Sequence, residues 1–472
     1  MTSATRRSAP VTGRGRSRRG AVLAVMCAGM FLVQLDVTVV NVALPHLGAD
    51  LRAGVAGLQW VVTGYAVVLA ALLLTGGVLG DRRGHRRVVV TGLVVFGTAS
   101  LACGLAPATW ALVGARMVQG VGAALLLPGT LAIVAQAFPD PGERARALGV
   151  WTGTAALALP AGPLIGGLLI TGVGWRSVFV VNVPIVVLAL AGTLRWCPPD
   201  ERPEGAPASR RADLPGAVTA AVALGAVVYA AIGAGGGHGA AAVAACVVAV
   251  AALCGFAAVE WRTAAHGGAP MLPLCLLRVR AFTGANAVAG AMNLVGIGMN
   301  FVVGLYLQEV LHMSPLRTGL GMLPMFAPLA LLAPVTGRIT ARLGPRRPMI
   351  AGLLTGAAGM LSLQLMPDRT SYVATLPLLL GLGVGMGLLT AAVVTAAMSA
   401  VPGHRSGLAG GVNNTARQAC GAVGVAAFGA VAGDPGDGPA FVTGLHVTAT
   451  AGSVLWLAAA VVTVWAMRPP HR

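Results

Sequence analysis

Gly77-Val-Leu-Gly-Asp-Arg-Arg-Gly-His-Arg-Arg87 recurs 260 residues later as Gly337-Arg-Ile-Thr-Ala-Arg-Leu-Gly-Pro-Arg-Arg347. Gly77, Arg82, Gly84, Arg86 and Arg87 align with Gly337, Arg342, Gly344, Arg346 and Arg347, and each copy follows a long apolar stretch. A basic, glycine-bearing loop repeated at this distance marks a duplicated helical unit. Parallel repeats of this kind place a central site between the two copies.

The surrounding composition says what the helices are dissolved in. The 472 residues are 56% hydrophobic and 10% charged, with a mean hydropathy of +0.82, whereas a soluble domain is about 25% charged. Each span needs about 20 apolar residues, so the chain has room for a dozen or more. Breaking it at charge clusters and Gly/Pro turns gives fourteen. Six lie near 21–45, 57–80, 87–105, 110–136, 147–171 and 177–195, two near 213–233 and 240–260, and six near 281–307, 318–337, 347–366, 373–398, 407–431 and 444–467. The repeated loops follow spans 2 and 10. A six-helix half is therefore duplicated, with two helices inserted between the copies.

The expected organisation is all-α: an Arg-rich tail (1–20), an N-terminal six-helix bundle (21–195), a Pro- and charge-rich linker (196–212), two extra helices (213–260) and a C-terminal six-helix bundle (281–467). The apolar run after Arg19 is too long for a signal-peptide core and carries Asp36, so it reads as a retained first span.

A formal charge of +18 raises nucleic acid as a partner, but no basic patch with interleaved aromatics accompanies it. All 32 basic residues are arginine, and all but two of them fall between spans. With the N-terminus inside, twenty-six of them are cytoplasmic, four lie outside and two (Arg116 and Arg417) fall within spans, the bias that sets membrane topology. Both termini are then cytoplasmic. The seven cysteines form no C-x-x-C pair, so neither metal nor redox chemistry is expected. No Gly-x-x-x-x-Gly-Lys loop is present, which argues against ATP as the energy source, and no cofactor is expected.

Several motifs occur in order along the chain: Leu35-Asp-Val-Thr-Val-Val-Asn-Val-Ala-Leu-Pro45, the loop Gly77 to Arg87, Arg116-Met-Val-Gln-Gly-Val-Gly122, Gly162-Pro-Leu-Ile-Gly-Gly167, Asn182-Val-Pro184 and Asn414-Thr-Ala-Arg-Gln418. Together they resemble the fourteen-helix drug:proton antiporters of the major facilitator superfamily, over essentially the whole chain. The resemblance implies a secondary transporter rather than an enzyme, with two halves rocking about a midplane site. It implies proton-coupled export of drugs or antibiotics across the bacterial cytoplasmic membrane. The loop Gly77, Asp81, Arg82, Gly84 corresponds to the general cytoplasmic-gate motif, and Gly162, Pro163, Gly166, Gly167 to the motif linked with antiport.

The residues themselves suggest roles. Asp36 lies within span 1, where a charge costs about 2.5 to 3.5 kcal/mol on insertion scales. The favoured reading is a carboxylate that takes up and releases a proton as its access alternates. The rival is a permanent ion pair locking helices together. Arg116 in span 4 is the natural counter-charge; the resemblance implies a role in proton coupling, which is favoured over snorkelling to the nearer membrane face. At about 100° per residue, Gln34, Thr38 and Asn41 share a face of span 1 nearly opposite Asp36. They are candidates to line the substrate cavity, although ordinary interhelical hydrogen bonding explains them equally well. Asn414 and Arg417 in span 13 are further cavity candidates, since Arg417 lies too deep to snorkel easily.

On span 5 the small residues Ala158, Gly162 and Gly166 form a flat strip that can be close packing, a bending point or both. Asp81 has the chemistry of a latch that meets a helix N-terminus or an arginine across the interface, while the repeat copy has Ala341 instead. For the loop arginines, simple topology anchoring is the favoured reading.

The expected partners are the lipid bilayer, protons and a small lipophilic or cationic compound, bound by a monomer. The rival functions are an uptake facilitator or symporter, and a sensor or membrane enzyme. No catalytic cluster or signalling domain supports the last.

Overall fold

In the computed structural model the chain folds into helices joined by short turns, described over residues 13–200, 214–235, 239–266, 272, 274–365, 371–402 and 406–467. The N-terminal helices are α1 (Gly13–Leu51), α2 (Val55–Arg83), α3 (His85–Gly104), α4 (Thr109–Ala137), α5 (Pro141–Gly172), a single turn α6 (Ser177–Val180) and α7 (Asn182–Trp196). Two more, α8 (Leu214–Gly235) and α9 (Gly239–Ala265), precede α10 (Arg280–Leu305), which runs on through a π-helical turn at Tyr306–Val310. The remainder are α11 (Pro315–Gly321), α12 (Leu323–Leu343), α13 (Arg346–Leu361), α14 (Tyr372–Ser399), α15 (Ser406–Ala432) and α16 (Gly438–Ala466).

Helix starts follow local chemistry. Asp140 caps α5 by accepting from the Glu143 amide at 2.8 Å, with Pro141 in the first turn, and Ser371 caps α14 through the Ala374 amide at 3.3 Å. Such caps satisfy amides that a helix cannot satisfy internally. The tail and linker expected at 1–20 and 196–212 lie partly outside the described residues. Gly13–Gly20 is already helical, and Asp200 has a defined position taken up below.

The repeat appears as the same turn made twice. Gly84 joins α2 to α3 with φ 95°, and Gly344 joins α12 to α13 with φ 76°, a backbone region that glycine enters without penalty. The packing repeats as well. α1 lies on α5 as α10 lies on α15, α2 on α4 as α12 on α14, α3 on α4 as α13 on α14, and α3 on α7 as α13 on α16. Two seams join the groups, one between α2 and α15 and one between α5 and α11–α12. α8 packs against α9 and against both α2 and α15.

Among the described residues thirteen helices are long and apolar enough to cross a membrane, so the chain is a multi-pass membrane protein. The expected fourteenth span, α15, is 27 residues long but falls short in apolarity because Asn413, Asn414, Arg417 and Gln418 stand within it. Lipid is as apolar as leucine, so burial alone does not drive these helices together, and close backbone approach does. A Cβ on Gly76 would collide with the Ala124 carbonyl of α4, and one on Gly383 with the Met325 carbonyl of α12. Large apolar side chains such as Leu157, Leu168, Leu188 and Val243 remain exposed on the perimeter, where a bilayer would cover them.

Candidate functional site

The helical count along α1 separates two sets of residues, and their surroundings differ accordingly. Asp36 turns into the N-terminal group of helices and is 0% exposed. Its Oδ2 accepts from Arg116 Nη1 of α4. Its Oδ1 accepts from Gln119 Nε2 at 2.9 Å and from Asn182 Nδ2 of α7 at 3.1 Å. Gln119 Nε2 also donates to Ser100 Oγ of α3 at 2.8 Å.

Arg116 is 1% exposed. Its Nε donates to the Val61 carbonyl of α2 at 3.1 Å and Nη1 also to Gln119 Oε1 at 2.7 Å, while its Cζ stands 4.4 Å from the centroid of the Tyr65 ring. One ion pair thus ties α1, α2, α3, α4 and α7 together. Arg116 does not snorkel: its guanidinium is enclosed, because the carboxylate lies beside it rather than the membrane surface. Breaking such a pair by removing one partner strands a buried charge.

Sequence reasoning missed Gln119, Asn182, Ser100 and Tyr65. The signal for Gln119 was its place three residues after Arg116, which puts both on one helix face. Nothing local pointed to Ser100 or Tyr65.

An adjoining face of α1 meets the space between the two groups of helices. Val37 and Val40 line a cavity of about 20 Å³ there, together with Tyr65, Arg116 and, from α15, Gln418 and Val425. That is room for about one water, so the halves are closed together at this level. Gln34 is half-buried and shares the Val37 face. Asn41 is buried, its Nδ2 donating to the Val37 carbonyl at 3.3 Å while Oδ1 has no hydrogen-bond partner. Thr38 is turned toward α5, where its hydroxyl occupies the space a Cβ on Gly162 would need.

In α15, Arg417 donates from Nε to Asn293 Oδ1 of α10 at 3.4 Å, and Asn413 donates to Asn286 Oδ1 at 3.2 Å. Asn414 is half-buried on the same face as Arg417.

The glycine motif of α5 proves to serve two faces. Gly162 and Gly166 lie against Thr38 and Val39 of α1, and a Cβ on Gly166 would come 3.0 Å from Val39 Cγ2. Gly167 and Pro163 lie across the seam. A Cβ on Gly167 would come 2.7 Å from Leu316 Cα, and one on Gly319 would meet the Pro163 carbonyl. At the α2–α15 seam, Gln59 Nε2 donates to the Ala426 carbonyl at 3.2 Å. These contacts all gather at the arginine-poor end of the molecule.

At the arginine-rich end, Asp81 is exposed and meets His85 at 3.4 Å, one turn on. The helix N-terminus expected of the latch is served by a different carboxylate. Asp200 Oδ1 accepts from the Arg86 amide at 2.9 Å and Oδ2 from the Arg87 amide at 3.0 Å, while Arg86 Nη2 donates to the Leu194 carbonyl at 2.8 Å. Gly77 packs toward Pro128 of α4. No group of His, Cys, Asp and Glu that could hold a metal ion occurs among the described residues.

Two similarly packed groups of helices meet across a small cavity. The family model described as Major Facilitator Superfamily matches residues 26–425, and the chain belongs to that superfamily. It is 37% identical over 408 residues to the multidrug resistance protein Stp of Mycobacterium tuberculosis, covering 85% of this chain and 74% of that one. It is 35% identical over 426 residues to the methylenomycin A resistance protein of Streptomyces coelicolor, covering 89% and 87%. The tetracenomycin C resistance and export protein of Streptomyces glaucescens is 34% identical over 416 residues, with 88% and 76% covered. Among solved structures, a bacterial homologue of the human lysosomal transporter Spinster in an inward-facing, occupied conformation matches with a TM-score of 0.69. It has 16% identity and coverage of 98% and 97%, a likeness of fold.

Proposed function

We propose that this protein exports small organic compounds, drugs or antibiotics among them, across a bacterial cytoplasmic membrane in exchange for protons. Both termini then lie on the cytoplasmic side and the monomer is the working unit. The names of its relatives support export. The observation that carries the coupling is the Asp36–Arg116 pair, enclosed among five helices with Arg116 lining the central cavity.

Protonating Asp36 removes the charge that holds Arg116, Gln119 and Asn182 in place. Arg116 keeps the Val61 carbonyl and Gln119 Oε1 as partners, so it has somewhere to go. A proton that loosens the pair in one state and leaves in the other biases the two halves, and a substrate that prefers the opposite state is driven the other way. The same saturated network also suits a permanent lock between helices, and one experiment separates the two.

Inside-out vesicles carrying wild type or Asp36→Asn are energised by respiration, with a pH-sensitive dye in the lumen, and candidate drugs are added. Proton release with wild type and none with the variant, at equal expression, is the expected result. A variant that responds like wild type makes the pair structural only.

A further inference from the structure

Asp36 and Arg116 answer each other, but the second arginine within the spans has no such partner. Arg417 stands eleven residues into α15, about 16 Å along the helix axis. The ion pairs among the described residues join Arg19 with Glu143, His85 with Asp81, Arg116 with Asp36 and Arg176 with Asp50, and none includes Arg417. Its hydrogen bond is a long one to a neutral amide, Asn293. An intramembrane charge left this way is costly and is a functional position by default.

Its direction is set by its neighbours. Gln418, Gly421, Ala422 and Val425 of α15 line the central cavity, and at about 100° per residue Arg417 stands at the edge of that face. Across it, Ile297 of α10 lines the same cavity. Asn300, one turn further along α10, buries an Oδ1 with no hydrogen-bond partner. From the N-terminal half, Val37, Val40 and Val62 line it together with Tyr65 and Arg116, whose charge is already met by Asp36. Beside this space stands Arg417, a positive charge that no ion pair among the described residues offsets.

We propose that the exported compound carries an anionic group, a carboxylate or ionised phenol on an apolar body, and that Arg417 pairs with it. This rests on the export reading above and replaces the expectation of a cationic substrate. A guanidinium suits the task because it holds a carboxylate through two parallel N–H donors. A cationic drug would meet Arg417 with no acid free to offset it.

The test uses the purified full chain in detergent and three probes of one shape, biphenyl-4-carboxylate, its methyl ester and (biphenyl-4-yl)trimethylammonium, with binding measured by equilibrium dialysis. Wild type is expected to bind the carboxylate at least about tenfold more tightly than the ammonium. Arg417→Gln should lower carboxylate affinity to that of the ester while leaving the ester within about twofold. Arg417→Lys should keep the order of preference.

Ammonium bound as tightly as carboxylate by wild type would overturn the proposal, as would no binding of any probe, or a carboxylate preference that survives Arg417→Gln. If the Gln variant does not fold, the wild-type ranking together with Arg417→Lys decides. Because this assay reads binding and the vesicle assay reads proton release, a failure of anion preference and a failure of proton-coupled export are told apart.

Discussion

Gly84 and Asp200 compete for one space: a Cβ on Gly84 would collide with the Asp200 carboxyl group that caps the first turn of α3. The equivalent Gly344 has the same left-handed backbone and nothing within 4 Å of its absent side chain. Gly84→Ala is therefore expected to destabilise more than Gly344→Ala, whose cost is backbone strain alone, about 1 to 3 kcal/mol. Removing the cap by Asp200→Ala should cost about 1 kcal/mol and bring the two glycine substitutions level in that background. Unfolding midpoints of the purified variants in detergent check this. Equal costs for the two glycines in the wild-type background would sink the asymmetry.

The Asp36–Arg116 pair predicts strong non-additivity. Asp36→Asn or Arg116→Gln alone leaves one buried charge and should cost about 3 to 5 kcal/mol, while the double variant should cost clearly less than the sum. The readout is again the unfolding midpoint. Additive losses would mean that the two side chains act separately.

Gln119 and Asn182 hold Asp36 without carrying charge. Gln119→Leu and Asn182→Ala should each cost about 1 to 2 kcal/mol of stability and weaken drug-dependent proton release in vesicles. Wild-type release from Gln119→Leu at matched expression would remove Gln119 from the coupling network.

The seam at Gly167 and Leu316 makes a prediction about access. Gly167→Val forces a side chain into the α11 backbone and should hold the arginine-poor end ajar. An Asn41→Cys reporter should then react several-fold faster with a membrane-impermeant maleimide added at that face. Unchanged labelling would place the closure elsewhere.

The helices and their pairing were legible because lipid solvent leaves its record in composition: apolar runs of spanning length, arginines confined to turns, and a loop repeated 260 residues apart. The helical count also separated Asp36 from Gln34, Thr38 and Asn41, since 3.6 residues per turn is a local property. What it did not reach was the company each face keeps. Ser100 and Tyr65 are ordinary residues in apolar helices, and only the meeting of α2, α3 and α4 gives them a role beside Arg116.

The depth of Arg116 alone left pairing and snorkelling both open for a related reason. Counting residues to the helix end measures distance to water, not distance to a carboxylate on a neighbouring helix. Asp200 lay in a stretch whose Pro and charge content read as linker, and capping by a residue over a hundred positions away leaves no trace in spacing.

The two inserted helices have a geometric consequence. α8 sits on the seam between α2 and α15, with Val228 and Ile232 packed against Val67, Ala422 and Ala426, and Tyr229 beside Trp60 at 6.3 Å. The matching seam, where α5 meets the short α11 and α12, has no further spanning helix over it in the contacts of the described residues. The internal twofold that relates the halves is broken at the rim. One flank of the junction between the halves is thus walled by an added spanning helix and the other is not. Each swing of the halves must also shear α8 against one of them.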